Sequence, residues 1–271
     1  MSVGRLIGRG NTAEVYEWGD KGEKVIKLFY EKVPFDIIKR EYETSSVINQ
    51  LGIPSPGLGD LIEYNQKWGI ICEKITGIGF TQQISTRPFS LKKNAALFAE
   101  LQASYHNIST NKLPEQKEYL TRNILGTTLL TDIEKEEILK YLKILPVDNK
   151  VCHGDYHTEN IILNDQKPKI LDWMTGASGN SCGDVARTFL IIRYSILPPD
   201  MPKVTKFIIQ SVRKVFAKVY LIAYTKTTNT SVKSIDEWML PVMAARLVEG
   251  VPNQEKQFLL DKIRRELQSR N

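Results

Sequence analysis

The feature that most constrains the fold is a change of hydrophobic period near Gly77. Upstream of it, the runs LIGRGNTAEVYEW and KVIKLFY read as strands. The first is folded about a Gly-rich turn, and the two are separated by the short turn Asp20-Lys21-Gly22. The stretch PFDIIKREYETSSVINQLG follows with Phe35, Ile38, Tyr42 and Val47 at helical spacing and Gly52 as a stop. Pro54, Pro56, Gly57 and Gly59 then mark a loop, and LIEYNQKWGIICEKI reads as a hairpin of two strands. Downstream of Gly77 the period becomes helical. SLKKNAALFAELQASYHN places Leu91, Ala95, Phe98, Leu101 and Tyr105 on one face. Thr131 and Glu134 form a capping box at the start of another helix. Helical patterns return over residues 203–225, 234–248 and 254–268. One segment breaks this pattern: KVCHGDYHTENIILNDQKPKILDW, two short apolar strands joined by polar turns. Polar residues on loops held by a rigid scaffold are where chemistry concentrates.

Composition removes several classes of protein. With 271 residues, 42% of them apolar, the chain can bury a substantial core, and disorder or a fibre does not fit. The N-terminus lacks the apolar run of a signal peptide, and no stretch approaches the roughly 20 apolar residues needed to span a bilayer. The expectation is a soluble, cytoplasmic protein with no membrane partner. Cys72, Cys152 and Cys182 lack CxxC spacing and cannot all pair, which argues against a disulfide framework or a thiolate metal cage. The net charge of +6 is uneven: residues 185–271 carry 15 Lys and Arg against 7 Asp and Glu, a surplus of 8. That region should attract anions. Its basic residues are dispersed among apolar positions and not interleaved with aromatics in a stripe, which argues against nucleic acid.

Residues 153–160, His-Gly-Asp-Tyr-His-Thr-Glu-Asn, have the spacing HxDxxxxN, and Asp172 follows an apolar strand. Phosphoryl transfer requires a carboxylate beside the attacking hydroxyl and oxygen ligands for Mg²⁺. On that reading Asp155 orients the hydroxyl and accepts its proton, and Asn160 and Asp172 hold metal. Taken singly, Asp155 and Asn160 are equally well explained as a turn former and a local backbone cap. Upstream, Gly8, Gly10 and Val15 give GxGxxxxV, where missing Cβ atoms let backbone amides approach phosphate oxygens. A Gly pair can also be a hairpin turn and nothing more. Lys27, flanked by Val25, Ile26, Leu28 and Phe29, should be partly desolvated and require a fixed anion, which Glu41 and a phosphate would supply. The alternative is a solvent-facing lysine on an edge strand.

These motifs occur in one order, and in that order the sequence resembles the aminoglycoside phosphotransferase and choline kinase-like family, relatives of the protein kinases. The resemblance runs from about Leu6 to Ile192 and is sharpest from HGDYHTEN through LDW. It implies an α+β, bilobal protein-kinase-like fold, with a small antiparallel-sheet nucleotide-binding lobe over residues 1–76 and a larger, mainly helical catalytic and acceptor-binding lobe over residues 77–271. It implies ATP or GTP as co-substrate with Mg²⁺, Asp155 as catalytic base, and Asn160 and Asp172 as metal ligands. Lys27 becomes the nucleotide-binding lysine paired with Glu41, with Glu43 as the substitute partner if the helix register shifts. Residues 71–77 resemble the inter-lobe hinge, where the main chain around Glu73 and Ile75 meets the adenine edge. Asp184, in CGDVAR, resembles the aspartate that holds the catalytic loop, and His106 resembles a buried histidine that packs beneath it.

Asn11-Thr12-Ala13-Glu14 departs from a loop richer in glycine, and LDWM replaces the DFG of protein kinases. The second departure, with no APE segment, argues against a regulated protein kinase. Three rival readings accompany the phosphotransferase of small hydroxyl compounds: an aminoglycoside antibiotic kinase specifically, a catalytically silent nucleotide-binding protein, and a metal-dependent hydrolase using His153, Asp155 and His157 as HxDxH. The positive surplus argues for a neutral or anionic acceptor, such as a sugar or amino-alcohol metabolite, over a polycation. A choline-like acceptor would need an aromatic cage, for which Tyr194, Tyr224 and Trp238 are candidates.

Overall fold

The computed structural model describes residues 2–19, 22–164 and 168–270. Its chain divides into two compact units, Met1–Thr86 with Thr158–Thr175, and Arg87–His157 with Gly176–Asn271.

The first unit begins with three antiparallel strands, β1 (Val3–Arg9), β2 (Ala13–Trp18) and β3 (Lys24–Phe29), followed by helix α1 (Phe35–Gln50). Asp20 and Lys21, where the β2–β3 turn was expected, lie outside the described residues. Helix α1 ends where Gly52 adopts φ 69°, a left-handed conformation that glycine reaches without a Cβ penalty. Strands β4 (Leu58–Tyr64) and β5 (Lys67–Glu73) form the expected hairpin, and Asn65 and Gln66 both lie at positive φ in its two-residue turn. Strand order is β1-β2-β3-β5-β4. Alternation along β3 sorts its side chains between two cores. Ile26 and Leu28 pack with Trp18 and Ile71, while Phe29 packs with Ala13, Ile70 and Ile38 of α1. Lys27 shares the face of Phe29 and therefore points toward the helix. A short strand β6 (Ile78–Gly79) and helix α2 (Phe80–Thr86) complete this part.

The chain then builds the helical unit with α3 (Leu91–His106), α4 (Gln116–Gly126), α5 (Asp132–Ile144) and strand β7 (Lys150–Cys152). The capping box of α5 is present as expected: Glu134 N–H donates to Thr131 Oγ1 at 3.2 Å, and Thr131 N–H donates to Glu134 Oε2 at 2.8 Å. Residues 158–175 return to the first unit with β8 (Ile161–Leu163) and β9 (Lys169–Ile170), an antiparallel pair continued by β6 on the far side of β8.

The helical unit resumes with β10 (Ala177–Gly179), which pairs with β7, and with α6 (Ser181–Tyr194), capped by the Asn180 side chain. Helix α7 (Lys203–Thr228) lies parallel to α3. Phe98 meets Phe216 edge to face at 5.4 Å, Gln102 accepts from Tyr220, and His106 Nδ1 meets the Tyr224 hydroxyl at 2.7 Å, every pair at the same sequence offset. The helix expected over residues 234–248 is broken at Trp238, giving α8 (Val232–Asp236) and α9 (Met239–Arg246). The Trp238 side chain is buried at that break. Helix α10 (Asn253–Arg270) ends the described chain. Among the described residues, no helix is long and apolar enough to cross a membrane.

Candidate active site

The residues expected to serve catalysis, nucleotide and metal divide between the units: Asp155 belongs to the helical unit, and Gly8, Gly10, Val15, Lys27, Glu41, Glu73, Ile75, Asn160 and Asp172 belong to the first.

In the first unit, Gly8, Val15 and Lys27 form one row across β1, β2 and β3, because Gly8 pairs with Val15 and Val15 pairs with Lys27. Gly10 N–H donates to the Ala13 carbonyl at 2.9 Å and closes the hairpin. A Cβ added at Gly8 or Gly10 would meet nothing of the chain nearer than 3.8 Å or 3.6 Å, ordinary contact distances. Internal packing therefore does not explain the glycines, and what they keep open is the backbone's outer surface. Lys27 Nζ donates to Glu41 Oε1 at 2.5 Å and to Asp172 Oδ1 at 3.2 Å. The Lys27 side chain is 20% exposed and that of Glu41 is 5% exposed. Burial works against the ammonium, but the charges of Asp172 and Glu41 outweigh it and raise the Lys27 pKa above its ordinary value. Lys27 is thus a fixed cation, not a solvated edge-strand lysine. Glu43 pairs with Lys39 at 3.8 Å on the exposed face of α1, so the partner of Lys27 is Glu41.

Asn160 and Asp172 come together through the β8–β9 hairpin. Ile161 pairs with Ile170, and Leu171 N–H donates to the Asn160 carbonyl at 2.8 Å, which sets Asp172 at the same end of the pair. Asp172 has φ 57°, a left-handed conformation that costs a non-glycine residue of order 1–3 kcal/mol and that Asp tolerates better than most. The turn carries its carboxylate to Lys27. Asn160 and Asp172 offer amide and carboxylate oxygens, hard donors of the kind Mg²⁺ takes alongside phosphate oxygens. Glu73 lies at the end of β5, and its side chain accepts from Gly57 N–H at 2.9 Å and pairs with Lys169 at 3.3 Å. Its carboxylate thus serves the first unit's own structure. Ile75 follows in the loop between β5 and β6.

In the helical unit, Asp155 is set by the turn after β7. Gly154 at φ 75° allows that turn, and Asp155 N–H donates to Nδ1 of the fully buried His153 at 3.2 Å. The Asp155 carboxylate faces an imidazole and a guanidinium: His157 Nε2 lies 3.4 Å from Oδ2, and Arg187 Nη2 lies 3.6 Å from Oδ1. Burial would lift its pKa, but the His157 bond and then the Arg187 guanidinium bring it down to about 2. Asp184, at the start of α6, accepts from Gly154 N–H at 2.7 Å, from Gln102 at 3.0 Å and from Tyr105 at 3.0 Å. His106 Nε2 also lies 3.0 Å from it, so this buried carboxylate gathers the loop and α3 around itself.

The hydrolase reading required His153 and His157 to ligate a metal with Asp155. His153 instead takes the Asp155 N–H, His106 is spent on Asp184 and Tyr224, and among the described residues no three His, Cys, Asp or Glu side chains gather to hold a metal ion. The aromatic-cage candidates fare similarly. Tyr224 and Trp238 are buried core residues. Tyr194 has Lys262 over its ring at 4.9 Å and Arg193 at 5.1 Å. Arg187 escaped the sequence reading. Its signal is its place one helical turn after Asp184, in an otherwise apolar run.

The sequence matches the model of the phosphotransferase enzyme family (APH) over residues 3–200. No curated protein matches it in sequence. Among solved structures, a thermostable mutant of aminoglycoside phosphotransferase APH(4)-Ia, bound to AMP-PNP and hygromycin B, aligns with a TM-score of 0.67 at 12% identity, covering 99% of this chain and 95% of that one. The amicoumacin kinase hAmiN, bound to AMP-PNP, Ca²⁺ and Ami, aligns at 0.60 with 14% identity, covering 99% and 88%. A choline/ethanolamine kinase family protein from Mesorhizobium loti aligns at 0.59 with 11% identity, covering 97% and 87%. These likenesses establish a kinase-like fold, an antiparallel-sheet N-terminal part followed by a mostly helical remainder. With the family model matched over well more than half of its length, the chain belongs to the phosphotransferase enzyme family.

Proposed function

We propose that this protein transfers the terminal phosphoryl group of ATP to a hydroxyl of a small molecule, with Asp155 as the catalytic base. The observation that carries the reading is Lys27, a cation locked between Glu41 and a strained Asp172 that lies 145 residues away in sequence. Such a lysine is the anchor that nucleotide phosphates require. Residues 1–76 supply nucleotide binding: the hairpin of Gly8, Gly10 and Val15 offers its backbone to the phosphates, and the main chain at Glu73 and Ile75 meets the base. Asn160 and Asp172 would hold Mg²⁺, which when bound neutralises charge on the phosphates. Family membership supports this reading, as do the AMP-PNP complexes of APH(4)-Ia and hAmiN.

In the transfer, the acceptor oxygen bonds to the γ-phosphorus as the bond from that phosphorus to the bridging oxygen breaks. ADP leaves, and the hydroxyl proton passes to Asp155. A carboxyl with a pKa of about 2 is fully ionised near neutrality and is a weak base. Its contribution is therefore to orient the hydroxyl and to take the proton late, when the oxygen has become acidic. The acceptor class follows from charge and from the aromatic side chains described above. The positive surplus of residues 185–271 and the engagement of Tyr194, Tyr224 and Trp238 support a neutral or anionic hydroxyl compound over a quaternary ammonium.

The test is coupled ADP release from ATP with sugars, ethanolamine, choline and hygromycin B as acceptors, with Asp155→Asn as control. Turnover should fall about 10²- to 10⁴-fold in the variant, with ATP affinity within about twofold of the parent. Equal loss of turnover and of affinity would contradict the role given to Asp155.

A further inference from the structure

The Asp155 carboxylate is one end of an alternating chain of charges inside the helical unit. Arg187, whose side chain is 8% exposed, lies beside Asp155 Oδ1 and donates through Nη1 to Glu249 Oε1 at 2.6 Å. The other Glu249 oxygen accepts from Arg246 Nη1 at 2.8 Å, and Arg246 Nε donates to Glu255 Oε1 at 2.8 Å. The second oxygen of Glu255 accepts from Ile196 N–H at 3.0 Å. Two guanidinium groups thus alternate with three carboxylates.

Burying so many ions is no economical way to gain stability, because desolvation offsets most of the attraction. The geometry does something more specific. Arg187 Nε donates to the Gly154 carbonyl, the acceptor of the peptide group that leads into Asp155. The N–H of that same peptide group is held by His153, and the preceding one donates to Asp184. Asp184 and Arg187, one helical turn apart on α6, therefore grip consecutive peptide groups, and of the two only Arg187 also reaches the Asp155 carboxylate. A planar fork can hold a carbonyl and a carboxylate at once, and a single ammonium cannot reproduce that geometry.

We propose that Arg187 is a positioning residue for Asp155, fixing both the backbone entering it and the direction of its carboxylate, with Glu249 and Arg246 preventing the guanidinium from turning away. The inference rests on the reading of Asp155 as the base. After the His157 bond, the Arg187 charge is the next influence that holds the Asp155 pKa down.

The experiment follows the titration of the Asp155 carboxyl carbon by ¹³C NMR in protein labelled at aspartate, its signal assigned by its disappearance in Asp155→Asn. ADP release from ATP is measured alongside, with an acceptor from the panel above or with water alone. Arg187→Met should move the Asp155 titration upward by about 1–3 pH units and lower kcat about 10- to 100-fold, leaving the KM for ATP within about twofold. Arg187→Lys should restore most of the titration shift but only part of kcat, separating charge from fork geometry. It also carries the test if the methionine variant does not fold. An unchanged titration and kcat in either variant would overturn the proposal. The two readings fail separately: Asp155→Asn with parental kcat would remove Asp155 as the base, whereas the NMR titration judges the hold of Arg187 in either event.

Discussion

Replacing Lys27 with methionine removes the cation but leaves Glu41 where it is, with its side chain 5% exposed. Its Oε2 already lacks a hydrogen-bond partner among the described residues, so loss of Lys27 strands the whole carboxyl. Breaking a buried ion pair from one side typically costs about 3–5 kcal/mol. Glu41 can escape part of that cost by taking up a proton. From an unfolded pKa near 4.5, protonation costs about 0.7 kcal/mol at pH 5 and about 4.8 kcal/mol at pH 8. The expected loss is therefore about 1 kcal/mol at pH 5, rising to about 3–5 kcal/mol at pH 8. The sign is fixed by proton counting: folded Glu41 holds a proton that the unfolded chain has released, so stability falls with rising pH above about 4.5 until the folded group also ionises. Urea unfolding followed by tryptophan fluorescence suits the measurement, since Trp18, Trp68 and Trp173 all lie in the first unit. In the double variant Lys27→Met/Glu41→Leu, both charges are gone and the pH-dependent loss should vanish. A Lys27→Met penalty that is equal at pH 5 and pH 8, or below about 1 kcal/mol at pH 8, would refute the argument.

Two further outcomes follow from the helical unit. Thr131→Ala removes one half of the capping box of α5 and should cost about 1 kcal/mol, read as a lower urea midpoint at unchanged slope, whereas Thr131→Ser should retain most of it. For Asp184, burial opposes the charge, but the His106 bond and charge and the Gly154 N–H outweigh it and hold the carboxyl well below its usual range. Its contribution is complete above an unfolded value near 3.8 and is lost as pH falls further. Asp184→Asn should therefore be about 3–5 kcal/mol less stable at pH 7, and circular dichroism should show the gap to the parent closing on acidification. Parallel acid curves would contradict the assignment.

The sheet and the long helices were legible because local signals there agree with tertiary structure. Asn65-Gln66 lies between alternating strands, Gly52 stops α1, and Thr131 and Glu134 cap α5. The Lys27–Glu41 pairing was legible for a related reason: a lysine inside an apolar strand needs a counter-ion, and the following helix offers two, one buried and one exposed. The break of the 234–248 pattern at Trp238 was masked by apolar residues that keep helical spacing on both sides, although Pro241 marks it: with no N–H for the Glu237 carbonyl, it is accommodated only in the first turn of α9. Helices α2, α4 and α6 and strand β10 were not singled out. Strand β10 is only Ala177–Gly179 and is defined by its partner β7, which no local pattern encodes. The tie from Arg187 to Asp155 was invisible for the same reason. Its three contacts, Gly154, Asp155 and Glu249, come from turns that are distant in sequence and adjacent only once α6 has folded against them.

The return of residues 158–175 to the first unit has a consequence for biosynthesis. During translation all five strands of the sheet, β1 through β5, and α1 are made before residue 74, yet the ion pairing that fixes Lys27 is incomplete until Asp172 leaves the ribosome. A nascent chain arrested at residue 86 has Glu41 but neither Asp172 nor the β8–β9 ribbon. Lys27 thus gains its second carboxylate partner only after the loop bearing Asp155 has been made.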